Sequence, residues 1–494
     1  MASSEEITRA LIDALGPEKV LHELPDLMPY SRDWSPRPET IAYLPIAVVL
    51  PSSTEDVATV VRLANQMEFV VIPFGGGTGM GGGAVPLEEN TVIIDMKSMN
   101  RVLEIDIPNR VIRVQAGITI EKINEALEPY GYWFPHDPES KPASTIGAAI
   151  ACDNDSTFGI RYGKIVTHLL NVVVVTGDGR ILRLGHRKAH CSSTGYKLHW
   201  LLIGSEGTLA IITEVTLAIY PKPRSRAVLM YVFPSIDKAV RAIEEAIRAG
   251  IPIESANIGD RYRLHFYTHA YRTKYGQEPS IPEWAKAIVG LSIAGDPKVV
   301  RFHARYLSHI FRRFGGRRVR EQEIVESWWA SKHTLAFEPF KQKWPDSQRR
   351  EKFGAADLGI PVGRLEDAHR FFTECTQRHK LRIIGMNIYN EAPNRISPSI
   401  SFAVYVNESD PSSVERFYAY VREMSELAVR LEGTMSTYIG DGDRLGGFNR
   451  IEHGDALDLM LAIKRVFDPH AVLNPGKKWR SRWIRENLTE QPKP

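Results

Sequence analysis

Residues 71 to 83 read VIPFGGGTGMGGG, an apolar strand that breaks into seven glycines within nine positions: Gly75, Gly76, Gly77, Gly79, Gly81, Gly82 and Gly83. Glycine lacks a Cβ and reaches positive φ cheaply, so consecutive backbone N–H groups can converge on an anion that side chains would keep away. Such a run suits a pyrophosphate cradle, with Thr78 adding a hydroxyl donor in its middle. The spacing is neither GxGxxG nor GxxxxGK[ST], so neither the dinucleotide fingerprint nor the P-loop applies. A plain flexible loop is the competing reading of these residues taken alone.

Further segments follow in a fixed order. Pro135-His136-Asp137-Pro138 precedes Ser144-Thr145-Ile146-Gly147-Ala148, then Arg161-Tyr162-Gly163 and Thr176-Gly177-Asp178-Gly179. Gly204-Ser205-Glu206-Gly207-Thr208-Leu209-Ala210-Ile211-Ile212-Thr213 comes next, and Leu473-Asn474-Pro475-Gly476-Lys477 lies near the end. Together these resemble the FAD-linked oxidases of the vanillyl-alcohol-oxidase superfamily, in their D-lactate dehydrogenase and glycolate oxidase branch. The resemblance covers roughly residues 40 to 225 and 425 to 480. It implies an α+β chain: a PCMH-type FAD-binding domain of two α/β subdomains (1–225), a substrate or cap domain with an antiparallel sheet covered by helices (226–440), and a segment returning to the FAD domain (441–494).

Composition fits an enzyme of that kind. The chain has 494 residues with 43% hydrophobic content, enough for two or three domains with sizeable cores. Its 62 basic and 59 acidic residues leave no broad basic field for nucleic acid. No apolar run is long enough to span a bilayer. The start, MASSEEITRA, lacks the basic and apolar regions of a secretory signal. Cys152, Cys191 and Cys375 stand far apart without a CxxC, as expected in a reducing compartment. A cytoplasmic enzyme is expected, working as a homodimer.

The local patterns are consistent with this division. Strand-like AYLPIAVVLP, FVVIPF, TVIIDM, RVIRVQAG and NVVVVTGDGRILRL flank a helix from Thr54, until two prolines at 221–223 stop the unit. VLMYVF, a helix from Ser235 to Ala249, IVGLSIAG and SISFAVYVN then begin a new alternation. Asp455 to Phe467 puts Leu457, Met460, Ile463 and Phe467 on one helical face expected to pack on the first domain.

By resemblance, Pro73, Phe74, Gly75, Gly76, Gly77, Thr78, Gly79 and Met80 cradle the FAD pyrophosphate. Pro135, Asp137, Ser144, Thr145, Ile146, Gly147, Ala148, Asp153 and Ser156 lie along the ribityl chain and ring edge. Glu206, Gly207 and Ile211 hold the adenine end, and Asn474 sits near the ring. Where the family has Asn-Ala-Gly-Gly this chain has Asp153-Asn154-Asp155-Ser156, which removes backbone freedom near the flavin. Asp155 can act on the flavin or serve as a turn residue; both readings stand. Some relatives tether FAD through a histidine in or beside the glycine loop, a position taken here by Thr78, Gly79 and Met80, so FAD is expected to be non-covalent.

On the substrate side the pattern departs. The branch carries HAGDGNxH and EHGIG, whose histidines and glutamate hold a divalent metal and deprotonate the substrate. This chain reads Gly385-Met386-Asn387-Ile388-Tyr389-Asn390-Glu391 and Thr437-Tyr438-Ile439-Gly440-Asp441-Gly442-Asp443, so no metal is expected. Tyr438, Tyr389 and Asn387 fall at the aligned positions and are candidates to orient the substrate's hydroxyl. Lys332 stands at the family's substrate-carboxylate arginine, although a solvated helix face explains a lone lysine as well. His453 is a further candidate base, with helix capping as its ordinary role. Asp441, Asp443 and Arg444 form a charged turn that binds a polar substrate or caps a loop.

Three functions remain open. The first is metal-independent hydride transfer from an alcohol or 2-hydroxyacid carbon to flavin N5, with electrons passing to oxygen, quinone or a protein carrier. The second is oxidation of a phenolic benzylic carbon, and the third a non-catalytic flavin-binding partner. The basic tail from Lys477 to Arg485, with Trp479 and Trp483 interleaved, either docks peripherally at a membrane or packs on the FAD domain.

Overall fold

Among the described residues, runs of β-branched residues between glycine and proline breaks produce three larger sheets and one two-stranded ribbon. The computed structural model describes residues 2–40, 43–331 and 351–479. Val20–Leu21 (β1), Ala47–Val49 (β2), Val70–Phe74 (β3) and Thr91–Asp95 (β4) form the first sheet, in the order β1-β2-β4-β3. Both β2 and β3 run parallel to β4. Parallel neighbours need a crossover, which the helix Thr54–Met67 provides between β2 and β3. The Ser53 hydroxyl caps this helix by accepting from the Asp56 N–H, and its apolar face, with Val57, Val60, Val61 and Ala64, is fully buried.

The second sheet is antiparallel throughout. Val102–Asp106 (β5), Val111–Gln115 (β6), Leu169–Thr176 (β8), Ile181–Gly185 (β9) and Ala210–Ala218 (β10) lie in the order β5-β6-β10-β8-β9. Tyr132–Trp133 (β7) pairs separately with Tyr220–Pro221 (β11).

The third sheet has seven antiparallel strands. They are Ser225–Phe233 (β12), Ile253–Asp260 (β13), Ala287–Gly295 (β14), Arg317–Arg318 (β15), Lys352–Gly359 (β16), Ile383–Asn390 (β17) and Pro398–Val406 (β18). Their order is β15-β12-β14-β13-β17-β18-β16. The period of two decides which side chains reach the site. Ala356 and Leu358, Met386 and Ile388, and Ile400, Phe402 and Val404 join one large core with the helices Ile236–Arg248, Pro297–Arg313, Leu365–Arg378 and Pro411–Arg430. The intervening residues, including Asp357, Asn387, Tyr389 and Ser401, occupy the opposite face.

The last described residues return to the first sheet. Leu473 bridges Val71 in parallel, and the Lys464 ammonium, fully buried, donates to the Thr208 and Leu473 carbonyls while pairing with Asp468. In the helix Ala456–Phe467, Ile463 and Phe467 pack on the second sheet's core. Met460 is instead 37% exposed, and Leu461 takes the inward position beside Leu457 and Trp479. That correction reflects the helix's two contacts, which turn its buried stripe by about one residue. Trp479 is buried there, whereas Trp483 lies outside the described residues.

Candidate active site

Where β3 ends, the chain must turn next to the 143–148 segment, and only glycine fits the approach. A Cβ on Gly76 would lie 2.1 Å from the Ala143 carbonyl oxygen, and one on Gly75 would meet Thr145 Oγ1 at 2.5 Å. Gly77 has φ +66, and its Cβ would strike the Phe74 ring at 2.7 Å. Together these segments wall a cavity of about 1400 Å³, counted with its open mouth. Pro73 through Met80 all line it, as do Ser144, Thr145, Gly147 and Ala148, and Glu206 with Gly207. The Thr145 hydroxyl is buried there without a partner. A glycine cradle, an orphaned hydroxyl donor and a largely apolar hollow beside them fit a dinucleotide.

Other residues expected to touch the cofactor stand behind this wall. Ile146 and Ile211 are core residues of the second and first sheets. Asn474, at φ +43, donates to the carbonyls of Gly83 and Glu206 and so ties the glycine loop to the 204–213 segment. The Ser156 hydroxyl accepts from the Asp137 N–H and lies 3.4 Å from the Pro135 carbonyl oxygen. Asp137 pairs with Lys141, and Asp153, at φ +47, pairs with Lys164 at 2.7 Å. Glu206 lines the cavity, but its carboxylate accepts from the Gly442 N–H at 3.0 Å, tying the C-terminal loop to the cradle. His136 is fully buried and its Nε2 meets Asn154 Oδ1 at 2.7 Å.

At the other part of the wall, acids and phenols gather. Glu139, Asp155 and Tyr438 line the cavity. Tyr389, projecting from β17, donates its hydroxyl to Glu139, and its ring meets Tyr438 edge-on with centroids 6.0 Å apart. Arg263, in the helix Arg261–Tyr275, is close enough to Glu139 and Tyr389 to interact electrostatically with both, and its buried Nε lacks a hydrogen-bond partner. Burial, then Asp357 and Asp155, drives the Tyr438 phenol well above the usual tyrosine range; burial, then Glu139, does the same for Tyr389. Both therefore remain protonated and act as donors. Burial, followed by the charges of Glu391 and Glu139, pushes the Asp155 carboxyl far up. Burial also raises Glu139 and brings Glu391 to about 7.

The loop carrying Tyr438 is pinned by one buried carboxylate. Asp357 Oδ2 accepts from the Ser436 hydroxyl and from the N–H groups of Thr437, Tyr438 and Ile439 at 2.7 to 3.1 Å. Its Oδ1 receives Arg444 Nη2 at 2.8 Å, and both side chains are almost wholly buried. Arg444→Met should leave Asp357 buried without its countercharge and destabilise the fold by about 3–5 kcal/mol. Chemical denaturation would show it, and a loss below about 1 kcal/mol would mean that water replaces the guanidinium.

Asp441 and Asp443 are likewise paired, with Lys478 at 2.6 Å and Arg37 at 2.6 Å. Asn387 shares the Tyr389 face of β17, and neither of the two lines the cavity, nor does His453, in the helix Asn449–His453. Lys332 lies outside the described residues. Sequence reasoning missed Glu139, Arg263 and Glu391. Glu139 directly follows the Pro-His-Asp-Pro segment, the one local signal that could have singled it out. Among the described residues, metal-type ligands converge at Cys375 on the helix Leu365–Arg378, His379 at its C-terminal cap and Glu423 on the helix Pro411–Arg430, none of them lining the cavity.

A glycine-cradled dinucleotide cavity set against an antiparallel cap sheet defines a two-part flavoenzyme. The FAD binding domain family matches residues 45–185, and the C-terminal domain of FAD linked oxidases matches residues 222–478. The chain belongs to the FAD-linked oxidases and is an FAD-dependent oxidoreductase. It is 28% identical over 464 residues to the glycolate oxidase subunit GlcD of Escherichia coli K12, covering 93% of this chain and 88% of that one. It is 28% identical to the D-lactate dehydrogenase of Archaeoglobus fulgidus (87% and 90% covered) and to the D-2-hydroxyglutarate dehydrogenase of Xanthomonas citri pv. viticola (92% and 92%). Among solved structures, p-cresol methylhydroxylase with substrate bound superposes with a TM-score of 0.78 at 18% identity over 97% of both chains. Alkyldihydroxyacetonephosphate synthase superposes with a TM-score of 0.73 at 21% identity over 96% of this chain and 86% of that one. At that identity the superpositions speak for the fold alone. No described helix is long and apolar enough to cross a membrane.

Proposed function

We propose that this oxidoreductase oxidises the hydroxyl-bearing carbon of a small 2-hydroxy acid, with FAD held non-covalently and without a metal. The observation that carries the reading is the Tyr389–Glu139 pair beside Arg263, against the wall that Tyr438 completes. Three relatives named for glycolate, D-lactate and D-2-hydroxyglutarate agree with that substrate class.

Bound FAD supplies the hydride acceptor, and Pro73 through Met80 with Thr145 would hold it. The chain's own groups do the rest. Arg263 meets the substrate carboxylate, which neutralises a guanidinium whose buried Nε has no hydrogen-bond partner. Tyr438, protonated, donates to the substrate's hydroxyl oxygen and orients it. Glu139 accepts the hydroxyl proton, directly or through Tyr389. Asp155, kept neutral by burial and its acidic neighbours, adds no second negative charge. Electrons leave to oxygen, quinone or a protein carrier.

Two features favour non-covalent FAD: His136 does not line the cavity and its Nε2 is engaged by Asn154, and the wall thiol Cys152 is held protonated, its pKa pushed to about 12 by burial. Metal independence rests on Asn387, Tyr389 and Tyr438 at the family's ligand positions, so chelation with EDTA should leave turnover unchanged. The phenolic alternative has the two tyrosines in its favour. However, Tyr389 already commits its proton to Glu139, so a developing phenolate would face a carboxylate instead of a donor.

Arg263→Met tests the substrate assignment. It should lower kcat/KM for the acid by about 10²-fold or more, mostly through KM, the scale of one lost charge-assisted contact. Arg263→Lys should recover part of the loss. An unchanged KM in the Met variant would remove Arg263 from substrate binding.

A further inference from the structure

The helix Pro297–Arg313 and the strand after it carry an unusual concentration of charge for a chain with net charge +3. Residues 297–320 contain eight lysines and arginines and no aspartate or glutamate. The buried side of the helix is conventional, with Val300, Leu307, Ile310 and Phe311 in the cap core. Its outer side is not. Val299, Phe302 and Tyr306 are 45%, 65% and 42% exposed, at the spacing that places them on one stripe. Phe302 stacks on Tyr306 with ring centroids 6.2 Å apart, and Tyr306 on His309 at 6.5 Å, making a continuous aromatic strip. Lys298, Arg301, Arg305, Arg312 and Arg313 flank it, all exposed, and β15 extends the field with Arg317 and Arg318. Among the described residues one ion pair reaches this stripe, Arg313 to Glu245 at 4.0 Å.

Exposed cations alone would need no explanation, since solvated charge is ordinary. Three apolar side chains held in water between them do, because each would gain by leaving water while the surrounding charges stay wet. That combination suits an anionic bilayer surface, where aromatic rings sit at headgroup depth and arginines reach phosphates. A nucleic acid would satisfy the charges. It would gain less from Val299 and Phe302, and the stripe offers no amide side chain and, beyond the Tyr306 phenol, no exposed hydroxyl to hydrogen-bond bases.

We propose that the outer face of the helix Pro297–Arg313, with β15, docks this protein onto an anionic lipid surface, with Phe302 and Tyr306 entering the headgroup layer. This does not depend on which substrate the cavity takes.

The test is co-sedimentation of the FAD-loaded enzyme with vesicles of phosphatidylcholine containing about a third phosphatidylglycerol, against phosphatidylcholine alone. Binding is expected to the anionic vesicles only, weakening severalfold between about 0.05 and 0.5 M salt as screening rises. Arg301→Glu with Arg305→Glu should lower the partition at least about tenfold. Phe302→Ser with Tyr306→Ser should lower it several-fold while leaving every charge in place, and both pairs should retain wild-type turnover with a soluble dye acceptor. The proposal is overturned if the wild type ignores anionic vesicles, if the serine pair binds them like the wild type, or if the stripe retards duplex DNA at concentrations where no vesicle binds.

Discussion

Gly77→Asp should yield a colourless protein that does not take up FAD. Gly77 sits at φ +66, a conformation that strains any residue with a Cβ, and that Cβ would overlap the Phe74 ring. The carboxylate would enter the pocket that Gly75 through Thr78 line, where a pyrophosphate must be met by backbone donors. A like-charge contact at such a poorly solvated site costs several kcal/mol, and the backbone strain adds to it. Gly77→Ala separates the two contributions: strain without charge should weaken FAD affinity and leave some yellow protein. Absorbance at the flavin bands against protein concentration gives the occupancy. Full occupancy in Gly77→Asp would show that the pyrophosphate lies elsewhere.

The second large effect belongs to Glu139. Glu139→Gln keeps the side chain's size and can still accept from Tyr389, but it cannot take up a proton. Anaerobic flavin bleaching by a 2-hydroxy acid should slow by about 10²- to 10⁴-fold, while colour and stability are kept. The wild-type rate should rise with pH, because the base must be ionised, with an inflexion above the ordinary glutamate value, since burial raises this carboxyl. In the glutamine variant that inflexion should vanish. Tyr438→Phe should lose about 10²-fold and retain the pH profile, as expected of a donor that orients the substrate without exchanging its proton. A Glu139→Gln enzyme within threefold of wild type would transfer the base role to Glu391, whose carboxyl sits near 7.

Local chemistry made the cofactor half readable from sequence. The glycine run, the Ser144–Ala148 turn and the 204–213 segment each bring their own backbone constraint, and the folded cavity is lined by most of the first two and part of the third. The β18 strand was legible by its apolar run, whereas β17, interrupted by Gly385 and Asn387, did not stand out as a strand and the face of Tyr389 was not readable. The substrate half was not readable either. Glu139 and Tyr389 are 250 residues apart and meet only because β17 brings its outer face against the FAD side. Arg263 sits in a helix whose sequence, RYRLHFYTHAYRTKY, has a weak amphipathic pattern that hides which side is buried. Asp357 looks like one more acid in a strand until its carboxylate is seen gathering donors from 79 to 82 residues later. Asp441, Asp443 and Arg444 drew attention as a charged turn, and the structure pairs each with a partner from a distant segment.

Anaerobic titration of the purified yellow enzyme with matched substrates tests the central reading most directly. Glycolate, D-lactate and D-2-hydroxyglutarate would be compared with the corresponding alcohols lacking a carboxylate, and with 4-ethylphenol. The geometry of Arg263, Tyr438 and Glu139 predicts that at least one of the acids bleaches the flavin, that its carboxylate-free analogue does not, and that 4-ethylphenol leaves the spectrum unchanged. Bleaching by 4-ethylphenol with none by any acid would contradict it.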